Sequence, residues 1–458
     1  MAGPAVPPKA TAALARFAAH LSYATLPEPV RQKAQMHALD FVGVALAGSR
    51  VAEIVTITEL TGSRGAHPVA SVIGTSLRTS AADAAYVNGC AADVLEHQDG
   101  YRFGGFHPSH ALPALLAVAE AEDRSIGDLL AATVAAYEVA NRIGRAVHPQ
   151  ATVAGWFPTA AGYGAAAGCA RLLGLDPGEI ASAVGAAAFF VPAVMIEAIF
   201  SGHTVKPAFS GQLARAGAEA ALHVKAGLAG WPEILESPHG LIDLLGGMSG
   251  LPQLAKDLGQ DWTILDVHLK RFAGCRHTHG AAQACIELAT QHELDPRTIV
   301  DIDVETYDVA KTLTGRTPGP GDSAIRCTLY LHYVAAVAVV DRELSGPQYA
   351  PGRITDELVT DLAGKVRIRV SGDLDARYPE FTATRVTITT GDGRQVQRQV
   401  DMPDGDTRVP LSLADLRRKF GSYARASVGE AAADHIEHLM LTPLPDAPVR
   451  ELTAALQM

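Results

Sequence analysis

The chain has 458 residues, 48% hydrophobic and 19% charged, a composition that excludes a disordered protein and leaves room for two or three domains. Its net charge of −11 excludes the basic face that nucleic-acid binding requires, but not a small cationic pocket. Five scattered cysteines with no Cys-x-x-Cys pair exclude a disulfide framework, and the N-terminus lacks the apolar core of a signal peptide, so a cytoplasmic location is expected.

From Thr11 to about Gly259, apolar residues recur at three- and four-residue spacing, alanine is abundant, and Gly or Pro marks the joints. This periodicity predicts helices over 28–46, 126–147, 160–173 and 207–225. So many small residues imply helices packed closely against one another. The weakly charged run 180–200, with Pro192 and Glu197 inside it, is expected to be a buried helix rather than a membrane span.

The texture changes near Asp266. Alternating residues predict strands over 299–307 and 365–371, and a hairpin over 385–400 turning at Gly391-Asp392-Gly393. A helix start at Thr278, acting as N-cap, and a helix around 328–340 lie between them. Helical pattern returns over 413–419 and 427–440. The expected fold is mainly α: a large all-helical domain (1–265), a smaller α+β lid domain (266–400), and a C-terminal helical segment (401–458) packing back on the helical domain.

Three segments carry the candidate chemistry. In the first, Glu96-His97-Gln98-Asp99 and Arg102 lead through Gly104-Gly105-Phe106 to His107-Pro108-Ser109-His110, crowding acids, imidazoles and an arginine onto a Gly-rich loop. His107, directly after the flexible glycines, is the candidate general acid/base, since an ordinary imidazole titrates near neutral pH. The second is Gly202-His203-Thr-Val-Lys206-Pro207, where a lysine stands at the positive end of a helix and suits a carboxylate site. The third is Lys270-Arg-Phe-Ala-Gly-Cys275-Arg276-His277-Thr278-His279, at another helix start, which suits an anion pocket. Neither the acid-and-imidazole loop nor the Cys275, His277, His279 set matches the spacing of a known metal motif, so no metal is expected. Gly162-Tyr-Gly164-Ala-Ala-Ala-Gly168 has the wrong spacing for a dinucleotide fingerprint, and no P-loop or Gly-x-Ser-x-Gly elbow occurs. No organic cofactor is expected.

Taken in order, Ala38-Leu-Asp-Phe-Val-Gly-Val-Ala-Leu-Ala-Gly48, Asn88-Gly-Cys-Ala-Ala-Asp93, His107-Pro-Ser, Ala136-Tyr-Glu-Val-Ala-Asn-Arg, Leu172-Leu-Gly-Leu-Asp-Pro177, Lys206 with its small-residue helix, and Cys275-Arg-His-Thr-His279 resemble the MmgE/PrpD family. That family includes 2-methylcitrate dehydratases, cis-aconitate decarboxylases and iminodisuccinate epimerase. The resemblance implies a helical domain with an α+β lid, a homodimer, and a site between domains. It also implies that His107 and Lys206 match the family's active-site histidine and lysine. Lys270 matches a basic residue at the lid boundary and Tyr333 a site tyrosine. The sequence departs from the family at Glu96-His-Gln-Asp99-Gly100, where Asp-Phe-Asp-Asp-Thr is frequent. Phe157 and Cys275 stand where family histidines are found.

The combined expectation is a cofactor-free enzyme that removes a proton α to a carboxylate on a small di- or tricarboxylate, with a dehydratase first. An iminodisuccinate-type epimerase, a cis-aconitate-type decarboxylase and a non-catalytic carboxylate-binding protein are the alternatives. His107, oriented by Asp99 or Glu96, is the expected acid/base, and Tyr333 or His279 the second proton donor. Lys206, Lys270 and Arg276 are expected to clamp carboxylates, with Cys275, Arg102 and His203 lining the pocket. No nucleic-acid or membrane partner is expected.

Overall fold

Small side chains decide how the first half of the chain packs. In the computed structural model, which describes residues 9–316, 322–442 and 444–458, helices Ala81–Asp93, Ile126–Val147, Ala160–Leu172 and Ala208–Lys225 pack side by side. Ala81–Asp93 and Ala208–Lys225 meet backbone to backbone. A Cβ on Gly89 would lie 2.8 Å from Gly211 Cα, and one on Gly211 would lie 2.4 Å from the Tyr86 carbonyl oxygen. The glycine run in Ala160–Leu172 serves the same purpose, with Gly164 set against the Ala136 carbonyl. Reciprocal capping between Ser125 and Asp128 fixes the start of Ile126–Val147.

The single helix expected over 180–200 is broken. Pro177–Ala187 is helical, Val194–Met195 pairs antiparallel with Trp156–Phe157, and Ile196–Phe200 forms a short further helix. Pro192 donates no amide and disfavours helix in the residue before it, which keeps the segment from running on. The break has a use, because it carries Ile199 and Phe200 to the same cavity as Phe157. Among the described residues, no single helix is long and apolar enough to cross a membrane.

The second half holds a four-stranded sheet in the order Gln395–Val400, Thr384–Thr390, Ile299–Thr306, Val366–Val370. The last pair is parallel and the others antiparallel. Thr384–Thr390 alternates buried and half-buried positions throughout, as its sequence alternation requires. Helices His279–Gln291 and Leu331–Asp341 belong to the same core, while Arg367, Arg369 and Arg385 pair with Asp301, Asp303 and Glu305 along the sheet. Thr278 does not cap the helix that follows; its hydroxyl donates to the Cys275 carbonyl at 2.8 Å, because 276–278 is already a 3₁₀ turn.

Buried apolar residues form two clusters. One draws on residues 10–269, Ile325 and 411–456, so the tail helices Leu413–Val428 and Glu430–Leu441 pack on the helical domain. The other lies within 272–400. The protein is therefore mainly α, a large helical domain joined to a smaller α+β domain. Gly211→Ala should lower stability by about 1–3 kcal/mol, the usual cost of overpacking. Gly364→Ala, whose added Cβ meets nothing within 4 Å, should leave the urea midpoint unchanged or slightly raised.

Candidate active site

Where helix Ala81–Asp93 ends, Glu96 adopts a left-handed conformation, φ 50°. Non-glycine residues seldom do so, and here the strain has a purpose. It turns the Glu96 carbonyl toward the α+β domain, where Lys270 Nζ donates at 2.8 Å and the Gly274 amide at 3.1 Å. Asp99–Gly100 then pairs with His268–Leu269, and Tyr101 bridges to Phe106 around Gly104-Gly105. The loop so pinned delivers His107.

Behind it lies a buried ionic cluster. Glu96 accepts from Lys206 through Oε1 and from Lys270 through Oε2, the latter at 2.8 Å. Lys206 also reaches Asp93 Oδ2 at 2.9 Å, while Asp93 Oδ1 accepts from Gln98 at 2.8 Å and lies 3.1 Å from His110 Nε2. Burial would raise the Glu96 carboxyl, but the Lys206 and Lys270 charges outweigh it and hold it well below the usual range. Burial likewise works against the Lys206 charge, and Asp93 and Glu96 overcome it, so the ammonium is held more firmly than usual. Neither lysine lines the cavity. Lys206 sits 5.6 Å behind the Phe209 ring. The sequence expectation that these lysines clamp substrate is thus corrected: their partners are the protein's own carboxylates, drawn from 110 or more residues away.

His107 Nδ1 donates to the Asp99 main-chain carbonyl. A carbonyl only accepts, so in the neutral ring the proton is on Nδ1 and Nε2 carries the lone pair. Nε2 lies 3.8 Å from Glu96 Oε2. Burial, reinforced by the Lys270 charge, pushes the imidazole down to about 3. The orienting group is therefore the Asp99 backbone rather than its carboxylate. That carboxylate instead accepts from Tyr137 OH at 2.7 Å and the Ser109 amide at 3.2 Å, with His37 Nδ1 3.1 Å away.

The cavity, about 100 Å³, lies between the two domains. Glu96, Arg102, His107, His268, Cys275, Arg276 and His277 supply its polar lining, and aromatic and aliphatic side chains the remainder. At about 10–15 Å³ per water site, it holds several waters or one compact organic molecule. Arg276 is half-buried, and its guanidinium makes no ion pair or hydrogen bond with any described residue. Arg102 donates to the Glu380 carbonyl at 3.1 Å and stacks on Phe103. Burial, aided by Glu96, raises the Cys275 thiol to about 11, so it is no nucleophile at neutral pH.

Three expected site residues are not brought there. Tyr333 is buried in the α+β core, its hydroxyl donating to the Gln348 carbonyl. His279 turns inward, with Nε2 3.2 Å from the Gly274 carbonyl. His203 is exposed away from the cavity lining. In their place stand His268, absent from the sequence expectation, and His277, considered there only as a metal ligand. Burial and the Arg276 charge push His277 to about 3, and its Nδ1 lies 2.7 Å from Tyr307 OH. On the 3₁₀ turn 276–278 successive side chains diverge, so His277 faces the cavity and His279 does not. The Asp93 ligand to Lys206 was also passed over. Its signal was its place at the end of the helix that opens the acidic loop.

A helical domain and an α+β domain that share a charged inter-domain cavity define a two-domain enzyme-like scaffold. The MmgE/PrpD N-terminal domain profile matches residues 12–253, and the MmgE/PrpD C-terminal domain profile matches residues 272–442. The chain belongs to the MmgE/PrpD family. It is 26% identical to a cis-aconitate decarboxylase-like protein, oryM, of Aspergillus oryzae over 97% of this chain and 96% of that protein. It is 26% identical to the Aspergillus terreus cis-aconitate decarboxylase over 94% and 92%, and 27% identical to the human cis-aconitate decarboxylase over 87% and 84%.

Acid should destabilise the protein through its imidazoles. His107, His277 and His279 lie near 3 when folded, chiefly through burial, against about 6.5 unfolded. The unfolded chain then binds more protons between those values, so stability is lost as pH falls from 6.5 toward 3. Each imidazole contributes up to about 1.4 kcal/mol per pH unit. Urea midpoints at pH 7.5 and 5.5 should differ accordingly; equal midpoints would show that the three titrate normally. Lys206→Met should cost about 3–5 kcal/mol, because it strands Asp93 beside Glu96 without their shared cation.

Proposed function

We propose that the protein is a lyase acting on a small carboxylic acid by proton transfer at the carbon next to its carboxylate. The observation that carries this reading is the pairing, in one cavity, of a neutral imidazole with its lone pair on Nε2 and an arginine whose guanidinium has no partner among the described residues. Arg276 holds the substrate carboxylate and takes up the negative charge that develops there as the C–H bond breaks. His107 Nε2 accepts the proton, and Glu96 stabilises the resulting imidazolium from 3.8 Å. For a β-hydroxy acid, the electron pair from the C–H bond forms the double bond. The hydroxyl departs with the proton returned by His107, so one group serves both halves and the products are an alkene acid and water.

Dehydration is placed ahead of epimerisation because His107 alone serves both of its proton transfers, whereas epimerisation would also need His268 or His277 to act on the opposite face of the carbon. A second reading, decarboxylation, is supported by the named activity of the relatives; it runs the proton the other way, CO₂ leaving its electron pair on the carbon and a protonated His107 delivering the proton that takes its place. Neither reading routes a step through a cofactor. The lysines act one layer back: they keep Glu96 ionised beside His107.

Proton NMR in D₂O with a panel of hydroxy and unsaturated acids tests the proposal. Loss of water from a hydroxy acid, or deuterium at the α-carbon of the hydroxy acid formed from an unsaturated one, identifies a dehydratase; loss of CO₂ with deuterium in its place identifies a decarboxylase; neither turnover nor exchange with any acid overturns proton transfer. His107→Ala should reduce turnover by about 10²–10⁴-fold with circular dichroism unchanged. With the free imidazole near 3, kcat/KM should stay level from pH 8 down to about 5 rather than fall through 6.5. A limb at 6.5 would mean that a different group supplies the base.

A further inference from the structure

The cavity lining is of two kinds. One set of residues is polar and carries the proton-transfer groups. The other comprises Phe106, Phe157, Ile199, Phe200, Phe209 and Leu329. Within it Phe157 and Phe209 form a braced wall: Phe157 packs edge-on to Phe209 at 5.4 Å and 77°, and Phe209 edge-on to His110 at 5.2 Å. Phe157 is held by the short ladder with Val194–Met195. Phe209 also stands between Lys206 and the cavity, so the ammonium that would otherwise greet an anion is curtained by an aromatic ring.

The supply of positive charge is equally lopsided. Lys206 and Lys270 are occupied by Glu96 and Asp93. Among the described residues two further cations reach the cavity, Arg276, whose guanidinium has no partner among them, and Arg102, already donating to the Glu380 carbonyl. Placing a carboxylate against the phenyl wall would strip its hydration with no donor in exchange. A substrate carrying three carboxylates would have to do so with at least one of them.

We propose that the substrate is an acid with its carboxylate on Arg276 and an uncharged alkyl or aryl arm against the Phe157–Phe209 wall, and that Phe157 sets this preference. The proposal rests on the reading of the cavity as the site of proton transfer and narrows its substrate class. An apolar arm gains from the wall by leaving water, whereas a polar arm of equal size does not.

Calorimetry with two unreactive probes, phenylsuccinate and tricarballylate, separates the cases. Phenylsuccinate should bind at least tenfold more tightly. Phe157→His, which keeps a planar ring of somewhat smaller size and adds polar atoms, should erase most of that preference while circular dichroism stays unchanged, and Arg276→Ala should weaken both probes. Tricarballylate binding as tightly or more tightly, or neither probe binding, would overturn the proposal. So would a preference unaltered in Phe157→His. The D₂O assay keeps the two readings apart. Exchange confined to tricarboxylates would sink this inference and leave proton transfer standing. Tight phenylsuccinate binding, with no exchange in any aryl- or alkyl-bearing acid, would sink proton transfer and leave the recognition wall in place.

Discussion

The carboxylate of Glu96, shared between Lys206 and Lys270, is the interaction on which the rest of the molecule turns. Its two lysines come from different domains, one before the helix Ala208–Lys225 and one at the entrance to the α+β domain. With Asp93 the cluster holds two cations and two anions, so burial leaves no net charge to solvate. Ions brought in from water cost several kcal/mol each, and such clusters persist only when each member is paired. Here the pairing also dictates where the domains meet. The left-handed turn at Glu96 adds its carbonyl to the same junction, so main chain and side chain of a single residue tie both halves together.

Electrostatics in the cavity follow from this arrangement. Because the lysines are spent on Glu96 and Asp93, the cavity does not inherit their charge. What reaches it is an ionised carboxylate, neutral imidazoles and the guanidinium groups of Arg276 and Arg102. Burial, and after it the nearby cations, keep the imidazoles unprotonated, since a proton on His107 would place a buried charge beside Lys270. A neutral ring can receive a proton, and the Glu96 carboxylate beside it stabilises the charged product.

The sequence was most readable where a single periodicity governs a long element. Ile126–Val147 begins and ends where its apolar spacing places it, and the strands at Ile299–Thr306 and Thr384–Thr390 follow from alternation. Mainly helical architecture with an α+β partner followed from the change of texture near Asp266. Partnerships were not readable. Nothing local to Lys206 reveals that Asp93 and Glu96, over a hundred residues earlier, will occupy it. Side-chain direction on the 276–278 turn was equally hidden, which is why His279 was preferred to His277. Tyr333 fails for a related reason: on a helix apolar on nearly every side, only tertiary packing decides whether its hydroxyl meets a cavity or the Gln348 carbonyl.

The loop after Glu96 shows how labour is divided at this site. His107 is oriented by a main-chain carbonyl, an acceptor whose state does not change with pH. The Asp99 side chain, free of that duty, holds the Ser109 amide and the Tyr137 hydroxyl instead. One residue thus fixes the ring's tautomer through its backbone and anchors the far side of the loop through its carboxylate. Titrating Asp99 would loosen the loop but would not invert the ring, because the carbonyl still demands a proton on Nδ1. In the proposed mechanism the chemistry falls to a neutral imidazole and recognition to an arginine, while the charged lysines and acids serve the architecture that keeps those two in place.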